Sequence, residues 1–327
     1  MKAVFLEYDT ISNGDLDISG LAAVVDDLQL ISAAAVDALQ RIRDADIVLL
    51  NTLAFPRELM QRTARLKLLA VAATGTDNID LVAAQERGVG VCNVPGYCTA
   101  SVVQHVWALI LSLTQHLPEY SRLSTDGSWP KGEPLMELRH PIRELNGLTF
   151  GVVGWGELGK GAARVAEGFG MRVVIANRRG GASSTGGASS GSDPRHERVE
   201  LPALLAMSDI VSLHCPLNDM TRGLIGASEL ALMKPDALLI NTARGALVDG
   251  PALADALKAG RLGGAGIDVL PQEPPPGDHP LLDPKIRNLI VTPHVAWAAR
   301  EARQRCLDEM AANIKDFVGG GRRSRVV

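Results

Sequence analysis

Several things are scarce in this sequence, and each shortage removes a class of protein. Cys92, Cys98, Cys215 and Cys306 stand singly, with no CxxC pair, in a chain of 327 residues. A chain of that length builds its cores without disulfide staples, so reduced thiols and a cytoplasmic location are expected and no metal site is assigned. Positive charge is not concentrated: the formal net charge is −4, which offers no basic field to a nucleic acid. No uninterrupted apolar run approaches bilayer-spanning length, and the opening "MKAVFLEYDT" is broken by Glu7 and Asp9, unlike a signal peptide. A membrane partner is therefore not expected. The closing "GGGRRSRVV" reads as a frayed, solvated end.

What remains is an ordinary globular composition, 46% hydrophobic and 21% charged, in a chain long enough for two domains. Short runs rich in Val, Ile and Leu alternate with helical patterns throughout, the arrangement of parallel sheets covered by helices on both faces. In the first third the strand candidates are "KAVFLE", "IVLLN", "LKLLAVAA" and "VGVCNV". From Thr149 a second series follows: "TFGVVG", "RVVIA", "IVSLHC", "ALLINTA", "GAGIDV" and "LIVTP". Between the series, Thr99 to Leu117 is apolar all round and reads as a buried helix. The aperiodic stretch after it reads as an extended arm, packing on a second subunit in a homodimer. A last helical pattern, Ala296 to Val318, has no strand after it and can fold back on the first domain. The expected fold is α/β, with two Rossmann-like doubly wound parallel-sheet domains and a cleft between them. Residues 1–98 plus 296–327 form a discontinuous, flavodoxin-like domain, and residues 99–295 form a dinucleotide-binding Rossmann domain.

The second series opens with G-x-G-x-x-G, at Gly154, Gly156 and Gly159, between an apolar strand and a helix. Glycines at those places permit a tight turn, close approach of backbone to a pyrophosphate, and close packing of helix on strand. The free N–H groups and positive dipole of the helix N-terminus then face the phosphates. An acidic residue for the ribose hydroxyls is expected about 20 positions on. That carboxylate is missing: the strand ends in "VVIANRRGG", with Asn177, Arg178 and Arg179. Loss of the acid removes repulsion of a 2′-phosphate and arginine forks onto phosphate, so NADPH is expected to be accepted and preferred, with NADH still usable.

Three more segments stand at strand ends of this series, where ligands of open α/β sheets bind. They are "NTARGALVDG" with Arg244, "GIDVLPQEPPP" with Asp268 and Glu273, and "VTPHVAWAAR" with His294. Arginine can clamp a carboxylate with two hydrogen bonds, and a histidine paired with glutamate can carry a proton to a carbonyl. Singly these residues are equally a surface ion pair, a solvated acid and a satisfied ring; together in one sheet they suggest catalysis.

With "VAATGTDNID", "NVPGYCTASVVQHV" and "VSLHCPLNDMT" added in the same order, the chain resembles the D-isomer-specific 2-hydroxyacid dehydrogenases over nearly its whole length. Within them it is most similar to the glycerate dehydrogenase or hydroxypyruvate reductase branch. The resemblance implies that Arg244 holds the substrate, His294 is the general acid in reduction and Glu273 orients it and favours its protonated form. It implies substrate contacts from Thr74, Gly75 and Thr76 in the first domain. It assigns cofactor contacts to Thr99, Glu157, Leu158, His214, Pro216, Thr221, Thr242, Ala243, Asp268 and His294 besides the glycines. The implied reaction is reversible NAD(P)H-dependent reduction of a small 2-keto acid, hydroxypyruvate or glyoxylate, to D-glycerate or glycolate. D-lactate or phosphoglycerate dehydrogenases and nucleotide-sensing corepressors resemble the same pattern. Thr52 stands where the branch often has lysine, which weakens the substrate assignment.

Overall fold

The computed structural model describes residues 1–35, 38–127, 129, 138–178 and 195–327, with backbone alone at 38 and 39. The chain divides into two compact units, Met1–Ser101 with Trp297–Val327, and Val102–Ala296. The first is thus built from both ends of the chain, and the second is inserted between them. The first division falls within the helix Thr99–Gln115 rather than before it.

The first unit holds β1 (Lys2–Phe5), β2 (Asp27–Leu30), β3 (Ile47–Leu50), β4 (Leu68–Val71) and β5 (Gly90–Cys92). All pair parallel, in the order β2-β1-β3-β4-β5. Every residue of β3 and β4 is buried, as strands covered on both faces must be. Alternation along the strands sends Phe5, Ile47, Leu49 and Leu68 to one core and Val4, Val48, Leu50 and Leu69 to the other. Leu307, Met310 and Ile314 of the helix Arg300–Val318 close the first core from one helical stripe. Met60, Ala83 and Ala84 close the second.

Two features of this unit depart from the sequence reading. β2 is an unforeseen strand: it lies at the sheet edge, is exposed at both ends and carries an aspartate, so it has no apolar run to announce it. The closing segment is also not frayed. Val326 N–H donates to Val91 O at 2.7 Å and Val91 N–H to Val327 O at 3.2 Å, so the segment pairs antiparallel with the edge of β5. An uncovered strand edge has unmet N–H and C=O groups, which this pairing satisfies. The Arg325 guanidinium lies 5.7 Å from the centre of the Phe317 ring and against Gly90, where a Cβ would stand 2.5 Å from its Cζ.

The second unit holds β6 (Thr149–Val153), β7 (Arg172–Ala176), β8 (Glu197–Val199), β9 (Ile210–Leu213), β10 (Leu238–Asn241), β11 (Gly264–Ile267) and β12 (Leu289–Val291). They form one parallel sheet in the order β12-β11-β10-β9-β6-β7-β8. The winding reverses between β6 and β9, which opens a ligand crevice at the carboxyl ends of those strands. The helix Thr99–Gln115 packs on this sheet through Trp107, whose ring stacks on Phe150 and Phe169 and whose Nε1 donates to Ala162 O at 3.2 Å. It ends earlier than expected, at His116 with φ of 49°, and a new helix runs Leu117–Thr125. The stretch read as an extended arm therefore begins helical, started by Pro118 in the first turn where its missing N–H costs nothing. Residues 128 and 130–137 of that stretch lie outside the described residues. Among the described residues no helix is long and apolar enough to cross a membrane.

Candidate active site

The glycine turn leaves β6 with the geometry its three glycines require. Gly154 has φ of 106°, and a Cβ there would stand 2.6 Å from Cys215 N, on the chain leaving β9. At Gly159 a Cβ would lie 2.1 Å from Gly154 O, so the helix Glu157–Gly168 can come down onto the turn only without a side chain. Gly156, the N-cap of that helix, differs: nothing lies within 4 Å of where its Cβ would be. That open backbone surface, with Glu157 and Leu158 in the first turn, is suited to a pyrophosphate.

Asn177 follows the last residue of β7; its N–H donates to Val199 O at 2.8 Å and its Nδ2 donates to Glu200 Oε1 at 2.8 Å. Arg178 is exposed; Arg179 lies outside the described residues. His214 follows the last residue of β9; it donates its backbone N–H to Val153 O at 2.7 Å and pairs Nε2 with Ser212 Oγ at 2.9 Å. Burial pushes the His214 imidazole down to about 4, so the ring is neutral at physiological pH. Thr221 Oγ1 donates to Pro216 O at 2.7 Å and closes the loop after β9.

Arg244, Glu273 and His294 follow β10, β11 and β12. Asn241, fully buried, accepts from Ala243 N–H at 3.0 Å and donates to Arg244 O at 2.9 Å, which shapes the turn carrying Arg244. The guanidinium donates to Ala243 O at 2.9 Å. Gly245 allows this turn to press on the chain before Glu273: a Cβ would fall 2.0 Å from Leu270 C. Glu273 accepts from Leu270 N–H at 2.7 Å through Oε1 and meets His294 Nδ1 at 2.6 Å through Oε2. Burial alone would push the Glu273 carboxyl up, but the hydrogen bonds from His294 and Leu270 N–H and the nearby charge of Arg244 hold it below the usual carboxylate range. The Glu273 contact fixes Nδ1 of the His294 ring as the nitrogen facing the carboxylate.

Asp268 supports this loop. It is 1% exposed, and Oδ1 accepts from Thr292 Oγ1 at 2.5 Å and Val295 N–H at 2.9 Å, while Oδ2 accepts from Ala296 N–H at 2.9 Å. His105 Nε2 joins the cluster 3.0 Å from Thr292 Oγ1. His294 itself, at φ of 55°, donates its N–H to Asp268 O at 2.8 Å. Asp268 thus acts beneath the histidine loop, a role its sequence context did not suggest.

Three buried polar atoms at these strand ends have no hydrogen-bond partner among the described residues: Trp155 Nε1 after β6, His214 Nδ1 after β9 and Thr242 Oγ1 after β10. Unmet buried polar atoms are costly and uncommon. Their clustering on three adjacent strands, beside the open surface at Gly156, fits a polar dinucleotide. A basin of about 510 Å³ bordered by Pro251, Lys258, His279 and Asp283 contains none of these residues.

The remaining candidates belong to the first unit. Thr74, Gly75 and Thr76 follow β4; Thr74 is exposed, donates Oγ1 to Val94 O at 3.0 Å and accepts from Asn93 Nδ2 at 2.7 Å. Thr99 donates to Gly96 O at 3.2 Å. Thr52 donates to Glu7 Oε1 at 2.6 Å, and Glu7 Oε2 also accepts from the N–H groups of Thr52 and Leu53 at 3.1 and 2.7 Å. Glu7, His105, Trp155 and Glu200 escaped the sequence reading. "TPH" did mark the place of Thr292, but nothing local marked the others.

Residues 107–296 match the family model described as D-isomer specific 2-hydroxyacid dehydrogenase, NAD binding domain. The chain is 39% identical to a glycerate dehydrogenase of Methylorubrum extorquens over 87% of this chain and 86% of that protein. It is 35% identical to a hydroxypyruvate reductase of Blautia hydrogenotrophica over 98% of each. Among solved structures, an acyclic imino acid reductase in complex with NADPH and D-arginine is similar over the full length of both chains, with a TM-score of 0.84 and 27% identity.

Proposed function

This chain belongs to the D-isomer-specific 2-hydroxyacid dehydrogenases and is an NAD(P)-dependent oxidoreductase, and we propose that it reduces hydroxypyruvate or glyoxylate to D-glycerate or glycolate. The observation that carries the chemistry is the 2.6 Å contact of His294 Nδ1 with Glu273, with the charge of Arg244 beside that carboxylate. The named relatives support the substrate class.

In this reading Gly154, Gly156 and Gly159 hold the pyrophosphate of the cofactor, with Thr242, Ala243, His214, Pro216 and Thr221 along it. A bound nicotinamide cofactor supplies the hydride. Arg244 forks onto the keto acid's carboxylate and carbonyl, a positional gain worth several kcal/mol. His294 Nε2 gives its proton to the carbonyl oxygen as negative charge develops there. Glu273 fixes the tautomer and stays ionised, so the ring is oriented throughout. Thr74, Gly75 and Thr76 contribute backbone donors to the substrate carboxylate.

NADPH is the preferred cofactor on the grounds that β7 ends in Asn177 and an exposed Arg178, and NADH remains usable. The active form is a homodimer, a reading supported by Leu117, Leu138 and Ile142, which are 56%, 83% and 54% exposed; light scattering of a monomer at working concentration would refute it. Four free cysteines support a reducing, cytoplasmic location. The deciding experiment is a spectrophotometric panel of hydroxypyruvate, glyoxylate, pyruvate and phosphohydroxypyruvate with both cofactors. Hydroxypyruvate or glyoxylate should lead in kcat/KM. A lead for pyruvate or phosphohydroxypyruvate overturns the substrate, and no turnover of any favours a nucleotide-sensing protein.

A further inference from the structure

The end of β7 faces a second charged group, of opposite sign to Arg178. β7 and β8 pair in parallel with Ala176 opposite Val199, so one step beyond that pair Asn177 meets Glu200. The contact is made, with Asn177 Nδ2 2.8 Å from Glu200 Oε1. A carboxylate only accepts hydrogen bonds, so it fixes which end of the amide faces it. The nitrogen is turned toward Glu200, and the Asn177 oxygen, an acceptor, is left for other partners. Arg178, next along the chain, is exposed.

We propose that Glu200 is a cofactor-specificity residue that opposes the 2′-phosphate of NADPH and keeps NADH competitive. The proposal rests on the reading that the adenosine ribose lies at the end of β7. One feature of the strand end favours a ribose carrying hydroxyls: the Glu200 carboxylate, held there by Asn177 Nδ2, only accepts, and a phosphate has no proton to give it at neutral pH. Arg178 pulls the other way, since guanidinium binds phosphate with charge-assisted bonds. The acid that the glycine motif normally places on the second strand is thus supplied from the third. It arrives through strand pairing, which is why no spacing rule finds it.

The test uses binding as well as turnover. Calorimetry gives Kd for adenosine 2′,5′-bisphosphate and for AMP, which differ by the 2′-phosphate alone, and steady-state assays give kcat/KM for NADPH and NADH. The Glu200→Gln variant keeps an oxygen to accept from Asn177 while removing the charge. It should tighten the bisphosphate relative to AMP roughly tenfold, the scale of removing one like charge at close range. The NADPH to NADH ratio should rise with it, and the gain should shrink at high salt because the site is exposed. Arg178→Ala should shift both ratios in the opposite direction. If Arg178→Ala shifts them and Glu200→Gln does not, the role of Glu200 is refuted while the ribose position stands. If neither variant shifts them, the ribose does not lie at this strand end and both readings fall.

Discussion

The two sheets share parallel pairing and a winding that reverses within the sheet, yet their carboxyl ends are finished differently. At the reversal in the first unit, between β1 and β3, the polar groups satisfy one another: Glu7 accepts from Thr52 and from the backbone of Thr52 and Leu53, and Asn78 Nδ2 donates to Asn51 O and Leu53 O at 3.1 and 3.0 Å. At the reversal in the second, between β6 and β9, Trp155 Nε1 and His214 Nδ1 are buried with no partner among the described residues, and Thr242 Oγ1 joins them one strand over. At the first reversal the buried polar groups are matched within the protein, and at the second three are left unmatched among the described residues. Sheets of the same winding can therefore differ in where they leave polar groups unmet, and it is the second that leaves them where a dinucleotide is proposed to lie.

The largest effects should come from the second sheet end. Arg244→Ala and His294→Ala should each lower kcat/KM for keto-acid reduction by about two to four orders of magnitude, as expected for loss of a positioned acid or a charge-stabilising donor. Their urea unfolding midpoints should stay near that of the parent, because neither side chain is in a core. Near-normal turnover in either variant would break the assignment. Glu273→Gln should cost less, since an amide oxygen can still accept from Nδ1.

The first sheet end should respond in stability instead. Glu7 is 9% exposed, and Glu7→Ala strands the N–H groups of Thr52 and Leu53, with an expected loss of about 2–3 kcal/mol in unfolding free energy. A change confined to KM, with unfolding unaltered, would contradict the contrast drawn between the two ends.

His214 gives a pH signature of similar size. Burial holds it at about 4 in the folded state, against about 6.5 for a free imidazole, so as pH falls through 6.5 the unfolded chain takes up a proton that the folded one refuses. Stability from this group is present above pH 6.5 and declines toward 4, by about 2 kcal/mol between neutral pH and 5. Subtracting the same titration measured on His214→Asn isolates it, and identical pH profiles for parent and variant would show that the ring is not buried.

The smallest effect separates folding from binding. Thr242→Val removes a buried hydroxyl that has no partner among the described residues, so the ligand-free protein should melt at the same temperature or slightly higher, while Kd for NADPH rises severalfold. A variant that loses stability would mean the hydroxyl already has a partner.

Much of this organisation was legible in the sequence where burial or motif imposed it. β3, β4, β6, β9 and β10 are covered on both faces and had to be apolar runs, and Arg244, Glu273 and His294 each follow a strand in a segment whose wording is distinctive. β2 and β8 escaped because an edge strand answers to backbone pairing and carries whatever side chains solvent tolerates, here aspartate, glutamate and arginine. Glu7 and Glu200 escaped for a related reason. Each acts on residues distant in sequence, Thr52 and Asn177, and becomes meaningful only when the sheets bring the strand ends together.

The division of the first unit between the two ends of the chain also sets an order of events during synthesis. Val102–Ala296 is continuous and can complete its own sheet while translation proceeds. Residues before it can form β1 to β5, but one core stays open until Leu307, Met310 and Ile314 emerge. For as long as the ribosome takes to make the inserted unit, Ile47, Leu49 and Leu68 lack the helix that covers them. The part of this unit that precedes the insertion thus waits for the part that follows it before its core can close.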